Sequence, residues 1–252
     1  MLLELKDSIT YGPVRSRRLG SSLGINILPA RRKTCTFDCI YCQYGFAPSY
    51  SAGEVAGLVF PHADAVFAAV AERLATLPAP PEYLTFSGNG EPTLHPDFAA
   101  IARGVASLRD RLVPSARTAI LSNASTVGSA ATRAGLQVLD ERIMKLDAGN
   151  SVMFSSYDRP HASIGLEEIV AALAALGRVT IQALFAGGPR GNLAEEHVGA
   201  WTEAVRAIRP VAVQVYTLAR PVPSRAITAA TPAELDAVAA RLTRYGIAAE
   251  VY

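Results

Sequence analysis

Cys35, Cys39 and Cys42 are the only cysteines in 252 residues, and all three fall in the stretch Cys35-Thr-Phe-Asp-Cys39-Ile-Tyr-Cys42. A chain so arranged must gather its entire thiol chemistry in one loop and build a site around it. An odd count in a long chain fits poorly with a disulfide framework, the device of small Cys-dense secreted domains. A structural zinc site needs a fourth ligand, which one of His62, His95, His161 or His197 would have to supply. Unengaged thiols are more often scattered through a core than gathered in a polar loop beside Arg32 and Lys33. Thiolates also hold iron–sulfur clusters, whose negative charge suits flanking bases, and three such ligands leave one iron open.

The rest of the chain predicts an α/β fold. Half of the residues are hydrophobic and 18% are charged, so a large core is available. From Gly24 onward, β-type runs alternate with Ala-rich helical stretches, the pattern of β/α units on a parallel sheet. Strands are expected at 24–28, 83–87, 117–122, 142–147, 180–185 and 211–218. Helices are expected at 63–76, 96–109, 127–135, 166–176, 195–208 and 232–245, with an edge strand in 247–252. No linker-like run divides the chain, so residues 1–252 read as one domain: an arm over 1–23, a barrel over 24–220, and a C-terminal helix and strand over 221–252. The charged opening Met-Leu-Leu-Glu-Leu-Lys-Asp is unlike a signal peptide, and no apolar run reaches ~20 residues. A cytoplasmic protein without membrane association is the expectation. The net charge of +2 demands no polyanionic partner, although Arg15, Arg17, Arg18, Arg31, Arg32 and Lys33 are locally basic.

Strand parity sharpens the fold. Side chains alternate faces along a strand, so Thr85 with Ser87, Thr118 with Ser122, Lys145 with Asp147, and Gln214 with Tyr216 each mark a polar face. A fully packed eightfold barrel would turn bulky aliphatics inward, and a doubly wound sheet would bury both faces. A six-stranded, incompletely closed barrel with a polar lumen accounts for the pattern best.

Candidate site residues follow from these positions. Ser87-Gly88-Asn89-Gly90-Glu91-Pro92 lies at the C-terminal end of a strand, where β/α proteins place their sites, and its glycines permit close backbone approach to a ligand. Ser122 and Asn123 end the next strand, where a helix-capping role competes with ligand binding. Lys145 and Asp147 would be costly on an inward face unless paired, solvated or bound to ligand; a Lys–Asp salt bridge is the structural alternative. Gln182, Gln214 and Tyr216 line the lumen or form a buried polar network. Arg220 could meet an anionic substrate or a surface carboxylate.

Cys-x3-Cys-x2-Cys with Tyr41 just before the third cysteine resembles the radical S-adenosylmethionine (SAM) superfamily. The resemblance implies a partial (β/α)6 TIM-like barrel with the cluster loop after the first strand. It also implies one 4Fe-4S cluster on Cys35, Cys39 and Cys42, and SAM on the open iron, cleaved by one-electron reduction to a 5'-deoxyadenosyl radical. Tyr41 would then pack near adenine, and Ser87, Gly88, Asn89, Gly90 and Glu91 stand where the family positions the SAM amino group, with Asn89 in place of a commoner Gly. Ser122, Asn123, Gln182 and Tyr216 would reach other parts of SAM. Lys145 and Asp147 would be catalytic, Lys145 by binding a carboxylate or phosphate or by forming a Schiff base.

With Tyr11-Gly-Pro-Val-Arg-Ser-Arg-Arg, the match extends over about 11–220 to the branch holding the tRNA wyosine-base synthases and related uncharacterised bacterial Fe-S oxidoreductases. Arg17, Arg18 and Arg220 would there hold substrate phosphate or carboxylate, and a nucleotide or tRNA would be the partner, with flavodoxin or ferredoxin as electron donor. Those synthases carry a second cluster, for which this chain has no cysteines. A glycyl-radical-enzyme activase or peptide modifier, and a non-catalytic iron–sulfur or zinc module, are the competing expectations.

Overall fold

A computed structural model describes residues 2–252. Numbered along the chain, the strands are β1 (Thr10–Ser16), β2 (Gly20–Ile25), β3 (Tyr83–Phe86), β4 (Arg117–Ser122), β5 (Glu141–Lys145), β6 (Thr180–Leu184), β7 (Ala186–Gly187), β8 (Ala212–Tyr216), β9 (Thr228–Ala229) and β10 (Ala249–Val251). The helices are α1 (Ala63–Thr76), α2 (Phe98–Leu112), α3 (Ala130–Leu136), α4 (Ser151–Met153, continuing into a π turn over Phe154–Asp158), α5 (Leu166–Leu176), α6 (Glu195–Ile208) and α7 (Pro232–Thr243). Eight strands form one sheet in the order β1-β2-β3-β4-β5-β6-β8-β10, with β7 and β9 paired separately. Every neighbouring pair from β2 to β10 is parallel, and only β1 runs antiparallel. The order ends at β1 and β10, which do not pair, so the sheet curls into a β/α barrel with an open seam.

Helix signals in the sequence act where they are seen. Thr231 closes a capping box with Glu234, and Pro232 takes the first turn, where its missing N–H costs nothing. Val66 and Val70 of α1, Ile101 and Val105 of α2, and Trp201 and Val205 of α6 are buried in one core. Phe185 meets Trp201 edge-on at 4.9 Å, and the indole Nε1 donates to Leu146 O at 2.8 Å. Each such side chain withdrawn from water contributes roughly 1.5–3 kcal/mol. No helix among the described residues is long and apolar enough to cross a membrane.

Register shows which residues face inward, because directly paired residues of parallel strands share a face. Gly24 pairs with Thr85, Thr85 with Ala119, Leu121 with Ile143, Lys145 with Gln182, and Gln182 with Gln214. The polar inner face therefore holds on β3, β5, β6 and β8, but on β4 the inward residues are Ala119 and Leu121. Thr118 and Ser122 belong to the opposite face. Thr118 is placed there by Asp140, whose Oδ2 accepts from its N and Oγ1 at 2.7 and 2.9 Å.

Two further differences have local causes. The arm over 1–23 contains β1 and the start of β2, which spans Gly20–Ile25 rather than 24–28. Gly12-Pro13 disguises β1, yet as an edge strand with an irregular register between Tyr11 and Val14 it tolerates proline. Beyond Ile25 the Asn26 side chain accepts from Leu28 N and Asn89 N, at 3.4 and 3.1 Å, and turns the chain out of the ladder. The helix expected at 127–135 begins at Ala130, since Ser129 caps it by accepting from Thr132 N.

Candidate active site

A cavity of about 590 Å3 opens along the inner face of the barrel. Cys35, Cys39, Cys42 and Tyr41 line it, as do Ser87, Gly88, Gly90 and Glu91. So do Ser122, Asn123, Lys145, Gln182, Tyr216, Arg17, Arg18 and Arg220.

The cysteine loop leaves the C-terminal end of β2 and is strung between two supports. On one side Thr34 bridges Gly90, with Thr34 N donating to Asn89 O at 2.7 Å and Glu91 N to Thr34 O at 3.0 Å. On the other, Asp38 N and Ile40 N donate to Arg159 O and Tyr157 O at 3.0 and 2.9 Å. Inside the loop the buried Lys33 ammonium donates to Asp38 Oδ1 at 2.9 Å and Gly45 O at 2.7 Å. Burial opposes its charge, but Cys42 and Asp38 outweigh this and raise its pKa. Cys35 Sγ accepts from Phe37 N and Asn123 Nδ2, each at 3.5 Å, and Cys39 Sγ lies 3.7 Å from Asp158 Oδ1. Burial, and then Glu91, push the Cys35 thiol up to about 12; burial, then Asp158, push Cys39 well above its usual range.

Cys35, Cys39 and Cys42 are the candidate donors for a metal group. Among the described residues no three Cys, His, Asp or Glu side chains converge where one metal ion could be held. His95 is engaged at both ring nitrogens, with Pro61 O and Asp97 N at 2.9 Å, and His161 with Ser163 and Glu54. A mononuclear zinc site has no fourth ligand in these two histidines. Three unpaired thiols spaced along one loop fit instead a cluster, where each sulfur meets a different iron. The backbone beside them is packed closely by the protein itself, Gly88 against Asn26 and Gly90 against Thr34. Gly88 and Gly90 have φ of 141° and 146°, which L side chains rarely adopt.

Glu91 and Asn89 are occupied by the protein itself. Glu91 Oε1 accepts from Thr93 N at 3.0 Å, Thr93 Oγ1 at 2.6 Å and Ser122 Oγ at 2.9 Å, and Oε2 from Asn123 N at 2.6 Å. Burial raises its pKa against these four donors. Asn89, expected at SAM, turns its side chain away from the cavity: Oδ1 accepts from Lys6 N at 2.7 Å, and Nδ2 donates to Lys6 O and Pro29 O at 2.7 and 3.0 Å. Asn123 Oδ1 accepts from Ser125 N at 3.0 Å, and its Nδ2 also reaches Thr36 Oγ1 at 2.7 Å.

Lys145 and Asp147 form an ion pair at 3.1 Å. The ammonium also donates to Tyr216 Oη at 3.0 Å and lies 4.7 Å from the Tyr41 ring centroid. Asp147 accepts from Leu184 N at 2.6 Å and from the Tyr41 hydroxyl. Burial works against the Lys145 charge, but Asp147 more than offsets it and the pKa is raised. Gln182 donates to Gln214 Oε1 at 2.9 Å. Asp158, which the sequence reading missed, lies 3.1 Å from Tyr41 Oη; burial and then Asp147 raise its pKa well above its ordinary value. Only its place ahead of Arg159-Pro160 hinted at a structured turn.

Known proteins resemble the chain in fold and in sequence. It superimposes with a TM-score of 0.63 on a radical SAM methyltransferase from Sphaerobacter thermophilus, at 17% identity over 92% of this chain and 65% of that one. With TYW1 carrying a bound lysine–pyruvate adduct the TM-score is 0.61, at 13% identity over 90% and 75% of the two chains. The fold is thus that of the radical SAM enzymes, a partial β/α barrel. No family model matches the chain. It is 32% identical over 219 residues to a UPF0026 protein of Synechocystis sp., covering 84% of this chain and 76% of that protein, and it belongs to the UPF0026 family. A UPF0026 protein of Methanocaldococcus jannaschii is 30% identical over 220 residues, 85% of this chain and 64% of its own length. GTPase Obg of Brachyspira hyodysenteriae is 34% identical over 176 residues, 70% of this chain but only 24% of that protein. None of the three lysines, Lys6, Lys33 or Lys145, follows a glycine, so the Gly-Lys-Ser/Thr of a P-loop is absent.

Proposed function

We propose that the protein is a radical SAM enzyme with a single 4Fe-4S cluster on Cys35, Cys39 and Cys42. The observation that carries this reading is the junction of Thr34 and Gly90, which joins the cysteine loop to the glycine-rich loop so that both face one cavity. Such a cluster with SAM supplies, on one-electron reduction, a 5'-deoxyadenosyl radical that abstracts hydrogen. The chain's own residues bind and orient. Gly88 and Gly90 line the cavity, Glu91 braces Ser122 and Asn123, and Asn123 supports Cys35. Lys33 sets a positive charge against the thiolates, and a reductant of the flavodoxin or ferredoxin type delivers the electron.

Lys145 acts as a fixed ammonium on the cavity wall, its charge met by Asp147. Its pairing with Asp147 and Tyr216 supports this role over a Schiff base, which needs a neutral amine. The test is anaerobic reconstitution with iron and sulfide, then dithionite and SAM. Formation of 5'-deoxyadenosine is expected, and its loss in Cys42→Ala. A fully loaded protein that forms none, and no more than Cys42→Ala does, overturns the reading.

A further inference from the structure

The cavity is unevenly charged. Seven cationic side chains line it, from Lys6, Arg15, Arg17, Arg18, Lys33, Lys145 and Arg220, against one acidic side chain, Glu91. Lys33 and Lys145 are paired with Asp38 and Asp147. Among the described residues the other five take part in no ion pair. Four of these are arginines placed at the barrel's open seam. Arg15 sits on the edge strand β1, Arg17 and Arg18 lie in the turn to β2, and Arg220 follows β8. Arg18 crosses the seam, its guanidinium 4.5 Å from the Tyr216 ring centroid, and Arg220 reaches only Gln43 Oε1 at 3.5 Å.

Like charges gathered around a concave, low-dielectric wall repel one another and focus a positive field into it. A single carboxylate would neutralise one of them. A phosphate ester carries nearly two charges and three acceptor oxygens, and so accepts from more than one guanidinium fork. Stacking on Tyr216 fixes the plane of Arg18 while leaving its in-plane donors free. We propose that the substrate of this site is a phosphate ester, its phosphate held at the seam by Arg17, Arg18 and Arg220. This rests on the radical SAM reading for what happens to the substrate, but not for its binding.

The test uses anaerobically reconstituted protein saturated with SAM. The probes are uridine, uridine 5'-monophosphate and a short single-stranded oligouridylate, pyrimidines being chosen to stay out of an adenosine site. Binding is read by calorimetry at several salt concentrations, and iron and 5'-deoxyadenosine are measured on the same preparations. The monophosphate is expected to bind at least about tenfold tighter than uridine, as charge-assisted bidentate bonds imply. That preference should vanish in Arg17→Ala/Arg220→Ala, both positions being exposed. It should persist in Arg103→Ala/Arg111→Ala, which removes two exposed charges from α2.

A tighter oligouridylate with a steep salt slope assigns the phosphate to a phosphodiester chain; a tighter monophosphate assigns it to a free ester. Equal binding of uridine and its monophosphate overturns the proposal, as does a preference that survives in Arg17→Ala/Arg220→Ala. Cys42→Ala separates the two readings: it should lose iron and keep the phosphate preference. Wild-type protein that holds no iron after reconstitution yet prefers the monophosphate refutes the radical reading alone.

Discussion

Gly90→Ala puts the junction of the two loops to a quantitative test. A Cβ built on Gly90 would stand 1.9 Å from Thr34 O and 2.4 Å from Thr34 C, where real Cβ contacts essentially never fall below 3.0 Å. The obstacle is backbone, so the Thr34 carbonyl must retreat by about 1 Å or Gly90 must swing out. Either movement strains the bonds Thr34 N to Asn89 O and Glu91 N to Thr34 O. Alanine at a φ of 146° adds strain of its own. At about 1–3 kcal/mol for the backbone conformation and about 1–3 kcal/mol for each of the two buried bonds lost, the variant should lose about 3–9 kcal/mol. For a chain of this size that is a fall in Tm on the order of 10 °C. Because Thr34 precedes Cys35, iron bound per chain after reconstitution should fall as well. Scanning calorimetry and metal analysis read the two effects, with Gly128→Ala as control, since a Cβ there meets nothing within 4 Å. A Gly90→Ala protein with unchanged Tm and full iron would refute both the packing argument and the role given to the junction.

Asn89→Ala should release the segment before β1, because Asn89 holds both the N–H and the C=O of Lys6; trypsin cleavage after Lys6 should accelerate by about tenfold or more, in step with about 1–2 kcal/mol of lost bonding. Asp147→Asn leaves the buried Lys145 ammonium without its carboxylate and should cost about 3–5 kcal/mol, with Lys145→Met/Asp147→Asn losing less than the sum of the single variants. Asp140 is opposed by burial but drawn below its usual pKa by Thr118 and Arg109. A carboxylate depressed in the folded state adds stability above the unfolded value near 3.9, and loses it as pH falls through the folded one. The Tm gap between wild type and Asp140→Asn should therefore be constant above about pH 5 and narrow below about pH 4; a gap independent of pH would count against the assignment.

The sequence carries the barrel because its helices announce themselves. α1, α5 and α6 begin and end where the apolar periodicity and flanking signals place them, at Ala63–Thr76, Leu166–Leu176 and Glu195–Ile208. The inner face was harder to read on β4, where Thr118-Ala119-Ile120-Leu121 mixes small, polar and apolar residues on both faces. What decides is Asp140, 22 residues further on, which captures Thr118 from outside the strand. Asn89 shows the same limit at the site. Its neighbours Gly88 and Gly90 line the cavity, but the direction of its side chain depends on Lys6, 83 residues away in sequence. Asp158 sits in a π turn, a conformation with no simple residue signature, and only the fold brings it to Tyr41 and Cys39.

The chain's use of lysine links these observations. Of 24 basic residues only Lys6, Lys33 and Lys145 are lysines, and all three line the cavity. A guanidinium spreads five donors across a plane, whereas an ammonium directs three from a point. At Lys33 the acceptors converge on a point, Asp38 Oδ1 and Gly45 O at 2.9 and 2.7 Å. At Lys145 they do so again, with Asp147 Oδ2 and Tyr216 Oη at 3.1 and 3.0 Å. Arginine would not fit either point without displacing the carboxylate that neutralises it. At the seam the choice reverses: Arg15, Arg17, Arg18 and Arg220 bring planar forks with no carboxylate between them. Near the cysteines, then, each cation is fixed by the protein's own acids, while at the opening the cations are left for an anion to complete. That division is what a cavity needs if its interior is to stay rigid around a cofactor while its entrance selects the substrate by charge.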